Sequence, residues 1–146
     1  MFDRILLPTD GTDSMDAVVE NVADIASLRD ADVHVLYVID DRAFLTLQDE
    51  MKSDVLEELE SEGDDATEAA AERLREAGVS VTTTIRQGDP AEQILAHADD
   101  VDVDLIAMGT RRGDYTKNMM GSVSQEVVAR ASVPVLTTNL AVEDRQ

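Results

Sequence analysis

The feature that most constrains this chain is an alternation of strand-like and helix-like segments, repeated five times with short connections. Extended, largely apolar runs predict strands at Arg4–Thr9, Asp32–Ile39, Val103–Met108 and Val133–Thr138, and alternation of apolar with polar residues predicts a half-exposed strand at Val79–Ile85. Between these runs, apolar residues recur at helical spacing. Such alternation favours parallel strands with right-handed crossovers and helices on both faces of the sheet. We therefore predict one α/β domain over residues 1–146, with a doubly wound, five-stranded parallel sheet.

Local signals set the expected ends of the helices. Asp13 is predicted to cap the first helix, and a long acidic helix is predicted from about Gln48 to Ala77, with Gly63 as a point of interruption. Asp89-Pro90 places a cap residue before a proline at the first helical position. The last helix is predicted at Gly121–Ala131, where a Gly-Ser pair opens it.

The charge of the chain is far from neutral. It carries 32 acidic residues against 12 basic ones, a net charge of −20, and the carboxylates are spread along the sequence. Their mutual repulsion is tolerable where salt shortens the Debye length to about 3 Å at 1 M. This favours adaptation to a salt-rich cytoplasm, as in a halophilic archaeon, over docking to a basic partner. Nucleic acid is not an expected partner, because binding it depends on clustered Lys and Arg.

Composition excludes several other classes of protein. The absence of cysteine excludes disulfides, thiolate metal sites and cysteine nucleophiles. No apolar run approaches the roughly 18 residues that span a bilayer, and the short acidic N-terminus is unlike a signal peptide. His34 and His97 fall on different elements without a third ligand nearby, so no metal site is expected. We expect a cytoplasmic protein with no membrane partner.

The first candidate site follows the first predicted strand. Ligands of open α/β sheets bind beyond the carboxyl ends of the strands, where the strand order reverses. In the segment Pro8–Thr12, the carboxylate of Asp10 could hydrogen-bond a ribose or hold a metal. It could equally accept local backbone amides in a turn, as Asp-Gly segments often do. The sequence leaves both interpretations open.

The second candidate site follows the fourth predicted strand. Gly109 and Gly113 precede Gly121-Ser122, and such glycines let the backbone approach an anion, while helix amides and a serine hydroxyl point at it. The alternative is an ordinary surface loop with a helix cap. A local cluster of basic residues favours the anion site: Arg111, Arg112 and Lys117.

Five segments, in order and over nearly the whole chain, resemble the universal stress protein family: ILLPTDGT, HVLYVID, QGDPAEQIL, DLIAMGT and MGSVSQEVVARASVPVLTT. The resemblance implies the sheet order 3-2-1-4-5. It also implies homodimers paired through the last strand, at Val133, Val135 and Leu136. In ATP-binding members, it implies adenine and ribose contacts from Pro8, Asp10, Val38, Met108 and Gly109. Phosphate contacts would come from Gly121, Ser122, Val123 and Ser124.

The loop after the fourth strand departs from the pattern of the ATP-binding members. Their signature has a glycine, two residues, a second glycine, nine residues, and then Gly-Ser or Gly-Thr. Here the loop is one residue shorter, and Arg112 stands where the second glycine would fall, with Gly113 next to it. Arg112 could supply a charge to the phosphates or block close approach to the backbone. The sequence leaves this choice open.

Three functions follow as hypotheses. The first is a homodimeric stress-response protein that binds ATP or a related adenine nucleotide with Mg²⁺ or Mn²⁺. It is not expected to be an enzyme, because no general base is evident beside the glycine loop. The second is a family member that binds no nucleotide and acts through dimerisation or a protein partner. The third, an adenylyl-transferring enzyme, is disfavoured because the sequence lacks a Ser-Gly-Gly loop and a His-x-Gly-His segment.

Overall fold

The computed structural model describes residues 2–44, 46–111 and 119–140. Strands and helices alternate along these ranges: β1 Arg4–Pro8, α1 Asp16–Arg29, β2 Asp32–Asp40, α2 Asp49–Glu76, β3 Ser80–Gly88, α3 Pro90–Asp100, β4 Leu105–Arg111, α4 Met119–Arg130 and β5 Val135–Leu140. All neighbouring strands are parallel, in the order β3-β2-β1-β4-β5. The predicted doubly wound α/β fold is confirmed, including its strand order.

The hydrophobic core consists of one cluster on each face of the sheet. Successive side chains of a strand point to opposite faces, so the central strands contribute to both clusters. Ile5 and Leu7 pack with α1 and α2, whereas Leu6 packs with α3 and α4. All three side chains are fully buried. Burying a side chain of this size stabilises the fold by about 1.5–3 kcal/mol, which explains the continuous apolar runs of the central strands.

Three predicted helix features were wrong. The α-helix α1 begins at Asp16, after a 3₁₀ turn at Asp13–Met15, so Asp13 is not its cap residue. Helix α2 continues through Gly63 without interruption. Helix α4 begins at Met119, two residues before the Gly-Ser pair. The limits of helices are the least certain part of any sequence-based prediction.

The predicted cap of α3 is confirmed. The Asp89 carboxylate accepts a hydrogen bond from Glu92 N at 3.1 Å, and Pro90 occupies the first helical position. We expect Asp89→Ala to lower the free energy of unfolding by about 1 kcal/mol, because one helix amide loses its acceptor. Urea denaturation measures this difference. Asp89→Ser, which retains a capping oxygen, should stay near wild type, and equal losses in both variants would contradict the capping role.

Strands β3 and β5 form the two edges of the sheet. Pro134 immediately precedes β5, where its missing N–H removes no ladder hydrogen bond. The side chains of Val133, Val135 and Leu136 are half-buried against the core of their own chain. Among the described residues, no strand pairs with the outer side of β5. No helix among the described residues is both long and apolar enough to cross a membrane.

Candidate functional site

The central strands β1 and β4 part towards their carboxyl ends. Their pairing joins Ile5 to Leu105 and Leu6 to Ile106 and stops there, while β1 pairs with β2 as far as Pro8 and β4 pairs with β5 as far as Arg111. The strand order reverses between β1 and β4. The resulting crevice is therefore where open α/β sheets bind their ligands.

The loop after β1 forms a tight turn on one side of this crevice. Thr9 N donates to Leu36 O at 2.9 Å, and Thr9 Oγ1 accepts from Gly11 N at 3.1 Å. Asp10 Oδ1 accepts from Thr12 N at 3.0 Å and from Thr12 Oγ1 at 2.8 Å. The predicted turn interpretation of Asp10 is thus confirmed for one oxygen.

The second carboxylate oxygen of Asp10 has a different environment. Oδ2 receives no hydrogen bond from the residues that the structure describes, and the side chain is half-buried. The turn fixes the carboxylate through Oδ1 and leaves Oδ2 able to accept from a ligand. A structural and a binding role are therefore compatible in the same residue, although the sequence posed them as alternatives.

The other residues predicted to contact adenine and ribose lie at the same edge. Pro8 ends β1 and pairs with Leu36 on β2, and Val38 lies two residues beyond Leu36 on the same strand. Val38 is half-buried, so part of its side chain can contact a ligand. Met108 is fully buried and Gly109 is buried beside it on β4, so the structure places both at this edge of the sheet with little or no exposed surface.

Helix α4 contributes its first turn. The first four N–H groups of an α-helix have no acceptor within the helix, which makes its N-terminus favourable for anions. Gly121 and Ser122 are the third and fourth residues of α4, so their amides belong to this group. Val123 and Ser124 follow in the next turn, with side chains 7% and 1% exposed. Val123 is part of the hydrophobic core cluster in which α3 and α4 pack on the sheet.

The middle of the candidate phosphate loop is outside the described ranges. Arg112, Gly113 and Lys117 all fall in residues 112–118, and Arg111 is described only as the last backbone position of β4. The role of Arg112 in place of a glycine therefore stays a prediction.

Comparison with known proteins identifies the family. Residues 1–139 match the sequence model of the Universal stress protein family. The chain belongs to the universal stress protein family. Universal stress protein MJ0531 of Methanocaldococcus jannaschii is 33% identical over 138 residues, which cover 93% of this chain and 81% of that protein. A universal stress protein of Methanothermobacter thermautotrophicus is 34% identical over 131 residues, covering 88% of this chain and 89% of that one.

Solved structures agree with this assignment. The structure of MJ0577 superimposes with a TM-score of 0.83 at 28% identity, covering 97% of this chain and 99% of that chain. Two other universal stress proteins share the fold at 20% and 22% identity, with TM-scores of 0.73 and 0.70. The first was solved in complex with cAMP and the second, from Archaeoglobus fulgidus, in complex with dAMP. Relatives occur in several genera, so the halophilic origin stays a prediction.

Sequence reasoning missed an ion pair at the carboxyl edge of the sheet in this universal stress protein. Arg42 Nη2 donates to Asp40 Oδ2 at 2.6 Å, and Arg42 Nε donates to Oδ1 at 3.0 Å. The Arg42 guanidinium holds the pKa of the Asp40 carboxyl below its usual range. Because Asp40 neutralises it and it is largely exposed, Arg42 adds little net attraction for an anion.

The two histidines, predicted on separate elements, meet between β2 and α3 of this universal stress protein. Their ring centroids are 6.4 Å apart, and His34 Nδ1 and His97 Nε2 are buried without a hydrogen-bond partner among the described residues. Arg86 Nη1 lies 3.0 Å from His97 Nδ1. A guanidinium can only donate, so His97 Nδ1 accepts and a neutral ring carries its proton on Nε2. The described part of the chain holds no cluster of three potential metal ligands.

Acid is expected to destabilise the fold through these histidines. Burial lowers the pKa of both, with Arg86 adding to the effect at His97, while Asp32 and Asp100 oppose it. A pKa lowered in the native state means that the unfolded chain binds more protons in acid. The two neutral histidines therefore make their full contribution to the free energy of unfolding above about pH 6.5, the pKa of histidine in the unfolded chain. This contribution is lost as the pH falls towards the lower pKa of the native state.

Urea denaturation between pH 7.5 and 5.5 measures this pH dependence. His97→Gln keeps an acceptor for Arg86 but cannot be protonated, so its free energy of unfolding should fall less steeply with acid than that of wild type. His34→Gln is the matched variant on β2 and should act in the same direction. Identical pH slopes in all three proteins would contradict the assignment.

Proposed function

We propose that this chain is a homodimeric stress-response protein that binds ATP or a related adenine nucleotide in the crevice between β1 and β4. The observation that carries the proposal is the composition of this crevice. A fixed carboxylate with an open oxygen, Asp10 Oδ2, lies on the loop after β1, and the next helix after β4 begins close to Gly121 and Ser122. A carboxylate suits ribose hydroxyls, and a helix N-terminus suits phosphates.

The remaining residues fit an adenine ring. The half-buried side chain of Val38 offers apolar surface, and the buried residues Met108 and Gly109 lie at the same edge of the sheet on β4. Mg²⁺ or Mn²⁺ would accompany the phosphates as part of the bound nucleotide. Support also comes from the two universal stress proteins of the same fold that were solved with cAMP and dAMP.

Binding rather than catalysis is proposed. The loop Pro8–Thr12 contains one carboxylate, and that carboxylate is held in a turn by Thr12. We assign no catalytic residue, and nucleotide hydrolysis is expected to be slow. Dimerisation is proposed through the outer side of β5, because β5 is an edge strand of the sheet that the structure describes, and edge strands present unpaired backbone groups. We place this protein in the cytoplasm.

A second function is kept because of Arg112. This residue stands where ATP-binding members have a glycine, and its side chain could occupy the phosphate position. The chain would then act through dimerisation or a protein partner without a nucleotide.

Thermal unfolding in molar KCl with Mg²⁺ separates the two functions. ATP at about 100 times its dissociation constant should stabilise the fold by about 2.7 kcal/mol, a clear rise in Tm. AMP should give a smaller rise, and GTP little or none. A Tm that no adenine nucleotide changes would contradict the first function and favour the second.

A further inference from the structure

Helix α2 approaches the sheet unusually closely at Gly63. This residue lies near the middle of α2, where glycine weakens a helix relative to alanine. A Cβ atom added to Gly63 would lie 2.7 Å from Tyr37 Cδ2 on β2 and 3.1 Å from Ile85 Cδ1 on β3. The absence of a side chain therefore lets the tyrosine ring pack directly on the backbone of the helix.

The same face of α2 reaches the loop that holds Asp10. Ala66 follows Gly63 by three residues, so both lie on one side of the helix. A Cβ atom added to Gly11 would lie 3.2 Å from Ala66 Cβ and 4.0 Å from Tyr37 Cε1. Gly11 also has a φ of +81°, a conformation that favours glycine. Gly11, Tyr37, Gly63 and Ala66 thus lie side by side, with little room for a side chain at either glycine, and this cluster is here called the α2–loop contact.

The α2–loop contact includes Gly11, which belongs to the turn that carries the candidate ligand group. Gly11 is the neighbour of Asp10 in sequence, and Thr12, one residue further, donates two hydrogen bonds to the Asp10 carboxylate. Burial and the carboxylates of Glu62 and Asp10 raise the pKa of Tyr37, so its ring stays neutral over the working pH range. The contact is therefore a steric one, and it limits where the turn that carries Asp10 can lie.

We propose that Tyr37 and Gly63 are positioning residues for nucleotide binding: through the α2–loop contact, helix α2 fixes the turn that aims Asp10 into the crevice. This inference rests on the proposed function. It assigns a role in the binding site to a helix that contributes no ligand contact of its own, and it makes nucleotide affinity depend on how closely α2 lies against the sheet.

Two variants change the contact in different ways. Tyr37→Ala removes the ring that packs on Gly63 and lies beside Gly11. Gly63→Ala adds a methyl group that must push the ring or the helix away, although alanine is the better helix former. Two controls accompany them. Tyr37→Phe keeps the ring, and Leu74→Ala removes a buried side chain from the far end of α2.

Amide hydrogen exchange and ATP titration are then measured on the same proteins. The Gly11 and Thr12 amides report the turn directly, because their acceptors are Thr9 Oγ1 and Asp10 Oδ1. We expect these amides to exchange at least fivefold faster in Tyr37→Ala and Gly63→Ala without ATP, and the dissociation constant for ATP to rise by a similar factor. Tyr37→Phe and Leu74→Ala should match wild type in both measurements, even though Leu74→Ala lowers the Tm.

The outcomes separate this inference from the proposed function. If the wild-type protein binds ATP and both Tyr37→Ala and Gly63→Ala bind it with the same affinity, the inference is overturned and the proposed function is left intact. An equal loss of affinity in Leu74→Ala would also overturn it, since general destabilisation would then explain the effect. A wild-type chain that binds no nucleotide would overturn the proposed function and this inference with it.

Discussion

Asp10→Asn is expected to weaken ATP binding at least tenfold while leaving the Tm close to that of wild type. The substitution keeps Oδ1 as the acceptor for Thr12 N and Thr12 Oγ1, so the turn after β1 can persist. It replaces the open oxygen, Oδ2, by an NH₂ group that cannot accept from a ribose hydroxyl. A hydrogen bond to a charged group contributes about 1.5–3 kcal/mol, and 1.4 kcal/mol corresponds to a factor of ten in affinity.

Calorimetric titration of ATP into both proteins measures this loss, and thermal melts without nucleotide measure the stability. Thr12→Val is the matched control, because it removes the hydroxyl donor to Oδ1 and leaves the Thr12 amide and Oδ2 in place. It should bind ATP more nearly like wild type than Asp10→Asn does. If Asp10→Asn bound ATP with wild-type affinity, the carboxylate would have no role beyond its turn.

Transfer from 1 M to 10 mM KCl is expected to lower the Tm by about 10 °C, which for a chain of this size corresponds to about 3 kcal/mol of stability. The net charge of −20 makes the folded chain repel itself. Lowering the salt lengthens the Debye length from about 3 Å to about 30 Å, so carboxylates on different elements come to interact.

Helix α2 provides the control for this salt effect. Four of its exposed carboxylates can be changed together to the amides, at Asp54, Glu57, Glu58 and Asp65. This variant should have a higher Tm than wild type at 10 mM KCl and a smaller difference between the two salt concentrations. A Tm that falls with added KCl, or that the fourfold variant leaves unchanged at low salt, would contradict a role for charge repulsion.

Much of the fold was predictable because each element is encoded by strong local signals. Near-continuous apolar character at Ile5–Leu7 and around Val33–Leu36 predicted buried strands, and every residue of these two runs except His34 is buried. Asp89-Pro90 predicted the start of α3 because its capping hydrogen bond is purely local. The presence of Met119 and Met120 in α4 was not predicted, because no cap signal was assigned before them in the sequence.

The candidate site was predictable in outline and not in its supporting contacts. The rule that ligands bind where the strand order reverses placed Asp10 and Gly109 at one crevice. The contact of Tyr37 with Gly63 could not be predicted, because it joins residues on different elements through the absence of a side chain. In the sequence, Gly63 resembled a helix interruption. The proximity of the His34 and His97 rings could not be predicted either, because it depends on how α3 packs on the sheet.

The central claim is that an adenine nucleotide binds in the crevice between β1 and β4, and backbone amide NMR shifts during an ATP titration test it most directly. The account predicts that the largest shifts fall at Gly11, Thr12 and Gly109 and at Gly121-Ser122, the two sides of the crevice. Amides of the β3 edge, which lies at the opposite side of the sheet from β5, should move little. If saturating ATP shifted no amide resonance, or only resonances of residues remote from this crevice, the result would contradict the account.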